Sequence, residues 1–303
     1  ASDVYKRQVN MMREYREKIV HYLLKGYQDG ITPNPDVMCN REMKFGVFLD
    51  YAMEQGFDAV ATGHYARIQD NRDGTKDILC GSDPNKNQTY FLAMLDQRQA
   101  SKAVFPIGHL LKKDLRSLAS EFGLPNAGKK DSQGICFIGE IKMSDFLRNY
   151  VSDSPGNIVN LNGEILGQHR GLHLYTLGQR KGIGIPSNVY KEAFVVVGKN
   201  SNENELIVGF DSKDTPRLYA SRCLINGLSF VNRVPQENEN VFAQPRYRTP
   251  AVSARIHFSK LEEGKAELVF DEPQRALTPG QICAFYSDEV LLGGGFFESI
   301  DYS

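Results

Sequence analysis

This sequence predicts an α/β domain, then a small central module, then a C-terminal β-barrel or sandwich. Three patterns carry that prediction. Apolar residues at helical spacing alternate with a short strand in the first third of the chain. A polar Ser-Asp-Ser-Pro-Gly break falls at residues 152–156. Beyond Ala193 the chain reads as short strands parted by Asn, Pro and Gly clusters. At 303 residues it exceeds what one ordinary core organises, so two or three domains are expected.

The elements follow in order. Met12, Tyr15, Ile19 and Leu23 recur at helical spacing over residues 9–26, with Val20 and Leu24 widening the stripe. Residues 32–46 then read T-P-N-P-D-V-M-C-N-R-E-M-K-F-G. Pro33 and Pro35 fix φ and push Thr32 and Asn34 towards extended conformations, so a stiffened loop is predicted here rather than a helix end. Asp36 and Cys39 are held close together on it. Two readings stand at this point: an acid and a nucleophile on a rigid backbone, or a capping aspartate beside a small buried thiol. Residues 47–55 read as a helix capped by Gly56. Residues 59–62 read as a short strand, and Gly63 and His64 fall beyond its carboxyl end, where α/β sheets bind ligands. For His64, an ordinary loop histidine is an equal reading.

Residues 81–87 form a turn-rich loop from which Lys86 and Gln88 either reach outward or are simply solvated, and residues 88–95 read as a helix. Residues 112–122 are an amphipathic helix ended by Gly123. The loop A-G-K-K-D-S-Q-G-I-C-F-I-G-E sets Cys136 beside Lys129 and Lys130, whose charge favours the thiolate. Cys136 is therefore the reactive thiol of choice, and Cys80, Cys223 and Cys283 are expected to be structural. Ser144 is placed to cap a short helix running to Tyr150. Residues 165–185 contain Arg170, Arg180 and Lys181 and no acid, which suits either a phosphate-backbone contact or a solvated hairpin. Arg246, Tyr247 and Arg248 suit either a nucleic-acid surface or cross-strand packing.

Composition bounds the function. A net charge of −1 excludes a generally basic nucleic-acid binder but leaves room for local basic surfaces. The five cysteines form no C-x-x-C pair, which argues for a reducing compartment and against a structural zinc site. No apolar run of about 18 residues offers a membrane span, and the opening residues A-S-D-V-Y-K-R-Q lack the apolar core of a signal peptide.

Taken together, T-P-N-P-D-V-M-C-N-R-E-M-K-F, A-T-G-H-Y-A-R, N-K-N-Q-T-Y-F-L, K-D-S-Q-G-I-C-F-I-G-E, L-Y-T-L-G-Q-R-K-G and L-T-P-G-Q resemble the tRNA-specific 2-thiouridylases, in that family's order from about residue 9 onward. The resemblance implies an adenine-nucleotide alpha-hydrolase-like (PP-loop ATP pyrophosphatase) domain over residues 1–142. It further implies a central tRNA-binding domain over 143–208 and a C-terminal β-barrel over 209–303. It implies ATP with Mg2+, no tightly bound metal, tRNA as substrate, and a cysteine desulfurase or sulfur-relay protein as donor. The implied location is the cytoplasm, with a mitochondrion as the alternative.

By the same resemblance Cys136 bears the persulfide, and Cys39 is its partner thiol through a transient Cys39–Cys136 disulfide. Asp36 is the acid/base, with Asn34 and Pro35 against the target base. Gly63 contacts ATP. His64, Lys86, Asn87, Gln88, Arg180, Lys181, Arg246, Tyr247 and Gln281 contact the tRNA. The family's Ser-Gly-Gly-x-Asp-Ser phosphate loop does not occur in the sequence, and its glycine cluster, Gly293, Gly294 and Gly295, lies near the other end. The expectation is therefore a catalytic domain short of its first strands and nucleotide loop. A tRNA-binding module without catalysis, and a thiol relay without nucleic acid, are the alternative functions.

Overall fold

The computed structural model describes residues 6–129, 143–186, 192–258 and 264–302. A continuous helical run opens the described chain through Met12–Tyr15, Arg16–Val20 and His21–Gln28, burying Ile19, Val20 and Leu23 as their spacing predicts. A second run passes through Pro35–Met38, Cys39–Val47 and Phe48–Glu54, with wide π-type turns from Cys39 and a non-helical Gly46. Strand β1 (Val60–Ala61) pairs in parallel with the later β4 (Ala103–Val104). Between them, β2 (Ala66–Asp70) and β3 (Lys76–Cys80) form a hairpin that sequence alone does not disclose. The expected helix over 88–95 is only the short 3-10 turn Thr89–Leu92, and the amphipathic helix runs Lys112–Glu121.

The central module follows the short helix Met143–Leu147. Its strands are β5 (Gly156–Asn160), β6 (Ile165–His169), β7 (Phe194–Asn200) and β8 (Glu205–Phe210), in the order β6-β5-β8-β7 with β5 and β8 parallel. Ile158, Val196, Leu206 and Val208 fill its core, and Tyr175 and Ile183 close over it.

The last unit resolves the choice between barrel and sandwich. Strands β9 (Tyr219–Phe230), β10 (Asn240–Gln244), β11 (Val252–His257), β12 (Ala266–Arg275), β13 (Ile282–Ser287) and β14 (Val290–Asp301) pair antiparallel. The pairings run β13-β10-β11-β12-β9-β14, and β13 closes onto β14. Closure removes the open edges that a sandwich would leave. Pro273 in β12 falls where the register with β9 shifts, since proline cannot donate to the ladder. The glycine triplet makes closure possible. Gly293 has φ +153, and a Cβ there would stand 2.0 Å from the Ser229 carbonyl oxygen, so β14 bends between two partners only without side chains.

Barrel and α/β unit share one interior. β3 adds to β14 through Leu79 and Ile78 opposite Val290 and Leu291. Val37, Phe45, Leu49, Tyr90 and Met94 pack in one cluster with Ile282, Ala284, Tyr286 and Leu291. Each of the larger aliphatic side chains and Phe45 contributes about 1.5–3 kcal/mol by leaving water, so the barrel is part of what holds the first unit in shape.

Candidate functional site

The turn bearing Asp36 and Cys39 is built from its prolines upward. Pro35 sits at the first helical position, and its restriction on Asn34 leaves that residue extended at φ −112°, ψ 91°. Asn34 is thereby the N-cap, its side-chain oxygen accepting from Val37 N–H at 3.3 Å. Two expectations are corrected: a helix begins at Pro35 where a stiffened loop was predicted, and Asn34, not Asp36, caps it. Asp36 lies in the first turn, where the helix dipole favours a carboxylate. Cys39 lies three residues on along the same face and is fully buried.

The barrel grips the approach to this turn. Thr32 N–H donates to the Pro279 carbonyl at 3.0 Å, and Gln281 Nε2 donates to the carbonyls of Thr32 at 2.8 Å and Pro33 at 3.4 Å. Gly280, at φ +84°, packs so close to Ile31 that an added Cβ would meet its side chain at 3.0 Å. Asn34 N–H donates to the Tyr22 hydroxyl at 3.1 Å, and burial pushes that phenol up to about 12, so it stays neutral. From the central module, Lys199 Nζ reaches the Gly30 carbonyl at 3.5 Å, with burial pulling its ammonium down to about 8.

Gly63 is exposed directly after β1, leaving its backbone open to a ligand. His64, expected as an RNA contact, is 7% exposed, lying between Phe45 and Phe105 with Nδ1 2.7 Å from Thr62 Oγ1. Burial first, and the Lys44 charge second, pull it down to about 3, so it is a neutral imidazole.

The amides of the next loop face inward. Asn87 Oδ1 accepts from the backbone of Gly81 and Thr89, and Gln88 Oε1 accepts from Tyr65 N–H at 3.1 Å. Lys86 is half-buried beside them. Phe91 then packs against Tyr247 with its ring tilted by 51° and 4.3 Å between ring centres. Arg246 Nη2 donates to the carbonyls of Leu177 and Ala276 and to Thr278 Oγ1, at 3.3–3.4 Å.

The structure thus packs Val37 of the Asn34–Cys39 turn with Tyr90, Phe91 and Tyr247, ties the approach to that turn to Gln281, and packs Cys39 separately with Ile19 and Met43. Arg180 and Lys181 lie exposed on the central module, with Arg180 Nε 3.1 Å from Asp211. Cys136 and Lys130 lie outside the described residues. Cys80, Cys223 and Cys283 match their structural reading: burial pushes all three thiols up. Sequence reasoning passed over Tyr22, Asn40 and Gln99. Gln99 Nε2 holds the carbonyls of Arg41 and Phe45 at 2.9 and 3.0 Å, a role with no local sequence signal.

An α/β domain whose site is completed by a barrel is a defined class. The model for the tRNA methyl transferase HUP domain matches residues 2–140, the tRNA methyl transferase PRC-barrel domain matches 144–210, and the aminomethyltransferase β-barrel domain matches 220–297. The tRNA-specific 2-thiouridylase MnmA of Akkermansia muciniphila is 58% identical over 295 residues, which cover 97% of this chain and 81% of that protein. Its counterpart in Geobacillus thermodenitrificans is 48% identical, with 96% and 77% covered, and that in Alkaliphilus oremlandii is 47% identical, with 96% and 79% covered. The chain belongs to the tRNA-specific 2-thiouridylase MnmA family. Its HUP match starts at residue 2 rather than near residue 9.

Proposed function

We propose that this protein is a tRNA-uridine 2-sulfurtransferase, which replaces the 2-oxygen of a uridine by sulfur. The observation that carries this reading is the Asn34–Cys39 turn, which sets a carboxylate and a thiol on one helical face and is held from the barrel by Gln281. Identity of 58% to a tRNA-specific 2-thiouridylase along 97% of the chain supports it.

In finer detail, the proposed reaction begins with the wobble uridine, whose 2-oxygen attacks the α-phosphorus of ATP and displaces pyrophosphate. The exposed Gly63 backbone would contact ATP, whose phosphates Mg2+ would neutralise. A carbonyl of this kind is a poor electrophile, and adenylation gives it a leaving group. The terminal sulfur of a Cys136 persulfide, loaded by a desulfurase or relay protein, attacks C2, and AMP departs. Cys39 thiolate then attacks the Cys136 sulfur, which breaks the S–S bond to the product and forms a Cys39–Cys136 disulfide. A cellular thiol reductant reopens that disulfide. Asp36 shuttles the proton, with Asn34 and Pro35 against the base. His64, Lys86, Asn87, Gln88, Arg180, Lys181, Arg246, Tyr247 and Gln281 serve the tRNA, and the uridine leaves its stack at a cost of a few kcal/mol. The domain limits 1–142, 143–208 and 209–303 belong to the same proposal, as does a cytoplasmic location. No described helix is long and apolar enough to cross a membrane.

The test is direct. Purified protein, ATP, Mg2+, a persulfide donor and a tRNA transcript are incubated, and the digested nucleosides are analysed by mass spectrometry. 2-Thiouridine is the expected product; tRNA binding without it would leave a binding module and overturn the enzymatic reading.

A further inference from the structure

Asn40 follows Cys39 directly and is 3% exposed. A primary amide in such a place must satisfy its polar atoms or destabilise the fold. Its Nδ2 makes two bonds, to the carbonyl of Asp36 at 3.1 Å and to the carbonyl of Phe91 at 3.2 Å. Both neighbours are acceptors, so only the NH2 end can face them. The opposite atom, Oδ1, is buried and has no hydrogen-bond partner among the described residues. A leucine of similar size would avoid that cost, so burial alone gives no reason for an amide here. The two donated bonds do.

Those bonds join three parts of the site. Asp36 O belongs to the residue that carries the carboxylate. Phe91 O belongs to the turn after the 86–88 loop, and the Phe91 ring packs at a tilt against Tyr247 of the barrel. The helix also changes pitch at this point, from α-type turns over Pro35–Met38 to π-type turns from Cys39. Wide turns hold their carbonyls less firmly, and such irregularities recur at functional sites. A brace from the side chain of the residue after the thiol fixes the turn where its own hydrogen bonds change.

We propose that Asn40 is a positioning residue for the thiol transfer: by donating to Asp36 O and Phe91 O, it sets the Asp36/Cys39 turn in register with the loop and barrel that receive the RNA. It touches neither substrate nor the reacting sulfur. The proposal rests on the thiolation reading for what Asp36 and Cys39 do, but its geometry can be tested apart from it.

The experiment follows maleimide labelling of individual cysteines by peptide mass spectrometry in the folded full chain. Wild type is compared with Asn40→Ala and Asn40→Asp. In Asn40→Ala, Cys39 should label about tenfold faster, while the buried Cys223 and Cys283 keep their slow rates, because only the local turn is released. Asn40→Asp should resemble Asn40→Ala near about pH 8, where a carboxylate cannot donate, and return towards wild type near about pH 6 as the buried carboxyl takes up a proton. In the thiolation assay, Asn40→Ala should lower kcat and leave the KM for tRNA within about twofold.

Unchanged Cys39 labelling, an equal rise at Cys223 and Cys283, or no pH dependence in Asn40→Asp would each overturn the proposal. The two readings fail separately. If Cys39→Ser still makes 2-thiouridine, the role given to Cys39 falls, while the labelling pattern continues to report on Asn40.

Discussion

Cys39 and Cys283 are equally hidden, both at 0% exposure, yet they sit in different kinds of surroundings. Cys283 lies in the barrel wall among Cys223, Phe285 and Phe297, and burial pushes its thiol up towards permanent neutrality. Cys39 packs with Ile19 and Met43, but it lies on a helical turn whose polar groups are individually held: Asn34 by Val37 N–H and Tyr22, Asp36 by Asn40, and Thr32 and Pro33 by Gln281. The comparison teaches that burial does not separate a chemical thiol from a packing thiol. What separates them is whether the surrounding hydrogen bonds fix a backbone that something else must meet.

The largest expected effect breaks the comparison outright if it fails. Cys39→Ser or Asp36→Ala should lower 2-thiouridine formation by about a hundredfold or more, while Cys223→Ala and Cys283→Ala leave the specific activity of folded protein within about twofold. Equal losses at both places would make the distinction empty.

Next comes the pH dependence carried by His64. Its folded pKa, about 3, lies below the ordinary value near 6.5. The unfolded chain therefore binds the proton first as pH falls. Stability is fully present above about pH 6.5 and is lost through the window between there and about 3, by at most about 1.4 kcal/mol per unit. Urea unfolding should show a loss near 2 kcal/mol between about pH 7 and about pH 5, and His64→Phe should flatten that part of the profile. An unaltered slope in the variant would remove His64 as the cause.

A smaller effect separates two roles for Gln281. If its main role is to grip the turn, Gln281→Ala costs about 1 kcal/mol of stability and lowers kcat about tenfold, while tRNA affinity changes little. Loss of affinity with kcat intact would make it an RNA contact alone. The smallest effect concerns the exposed pair on the central module. Arg180→Ala and Lys181→Ala should each reduce the salt slope of tRNA binding by about 0.7–0.9 if each meets one phosphate. A slope equal to wild type would leave them as solvated charges.

Much of the fold was legible where periodicity is strong. Strands β7, β8, β11, β12 and β13 follow from apolar runs between turn residues, and helices end at Gly56 and Gly123, both at positive φ. β14 was hidden by Gly293, Gly294 and Gly295, which carry no alternation and make sense only when two neighbouring strands press against the same backbone. β1 falls inside the strand expected over 59–62, whereas its partner β4 spans two residues, too short for any pattern.

The site divided in the same way. The prolines announced a rigid stretch, but reading them as loop-formers missed that Pro35 is also an ideal first helical residue. Asn40 and Gln99 escaped notice because their partners, Phe91 O and Phe45 O, lie 51 and 54 positions away in the chain. Gln88 could not be told from a solvated loop residue until Tyr65 N–H was seen on its Oε1.

The most direct test of the contrast between the two thiols is a single turnover without reductant, quenched with acid and mapped for disulfide-linked peptides. The account predicts one linked pair, the Cys39 peptide with the Cys136 peptide, appearing in step with 2-thiouridine, while Cys223 and Cys283 stay reduced. 2-Thiouridine formed with Cys39 still a free thiol would contradict it.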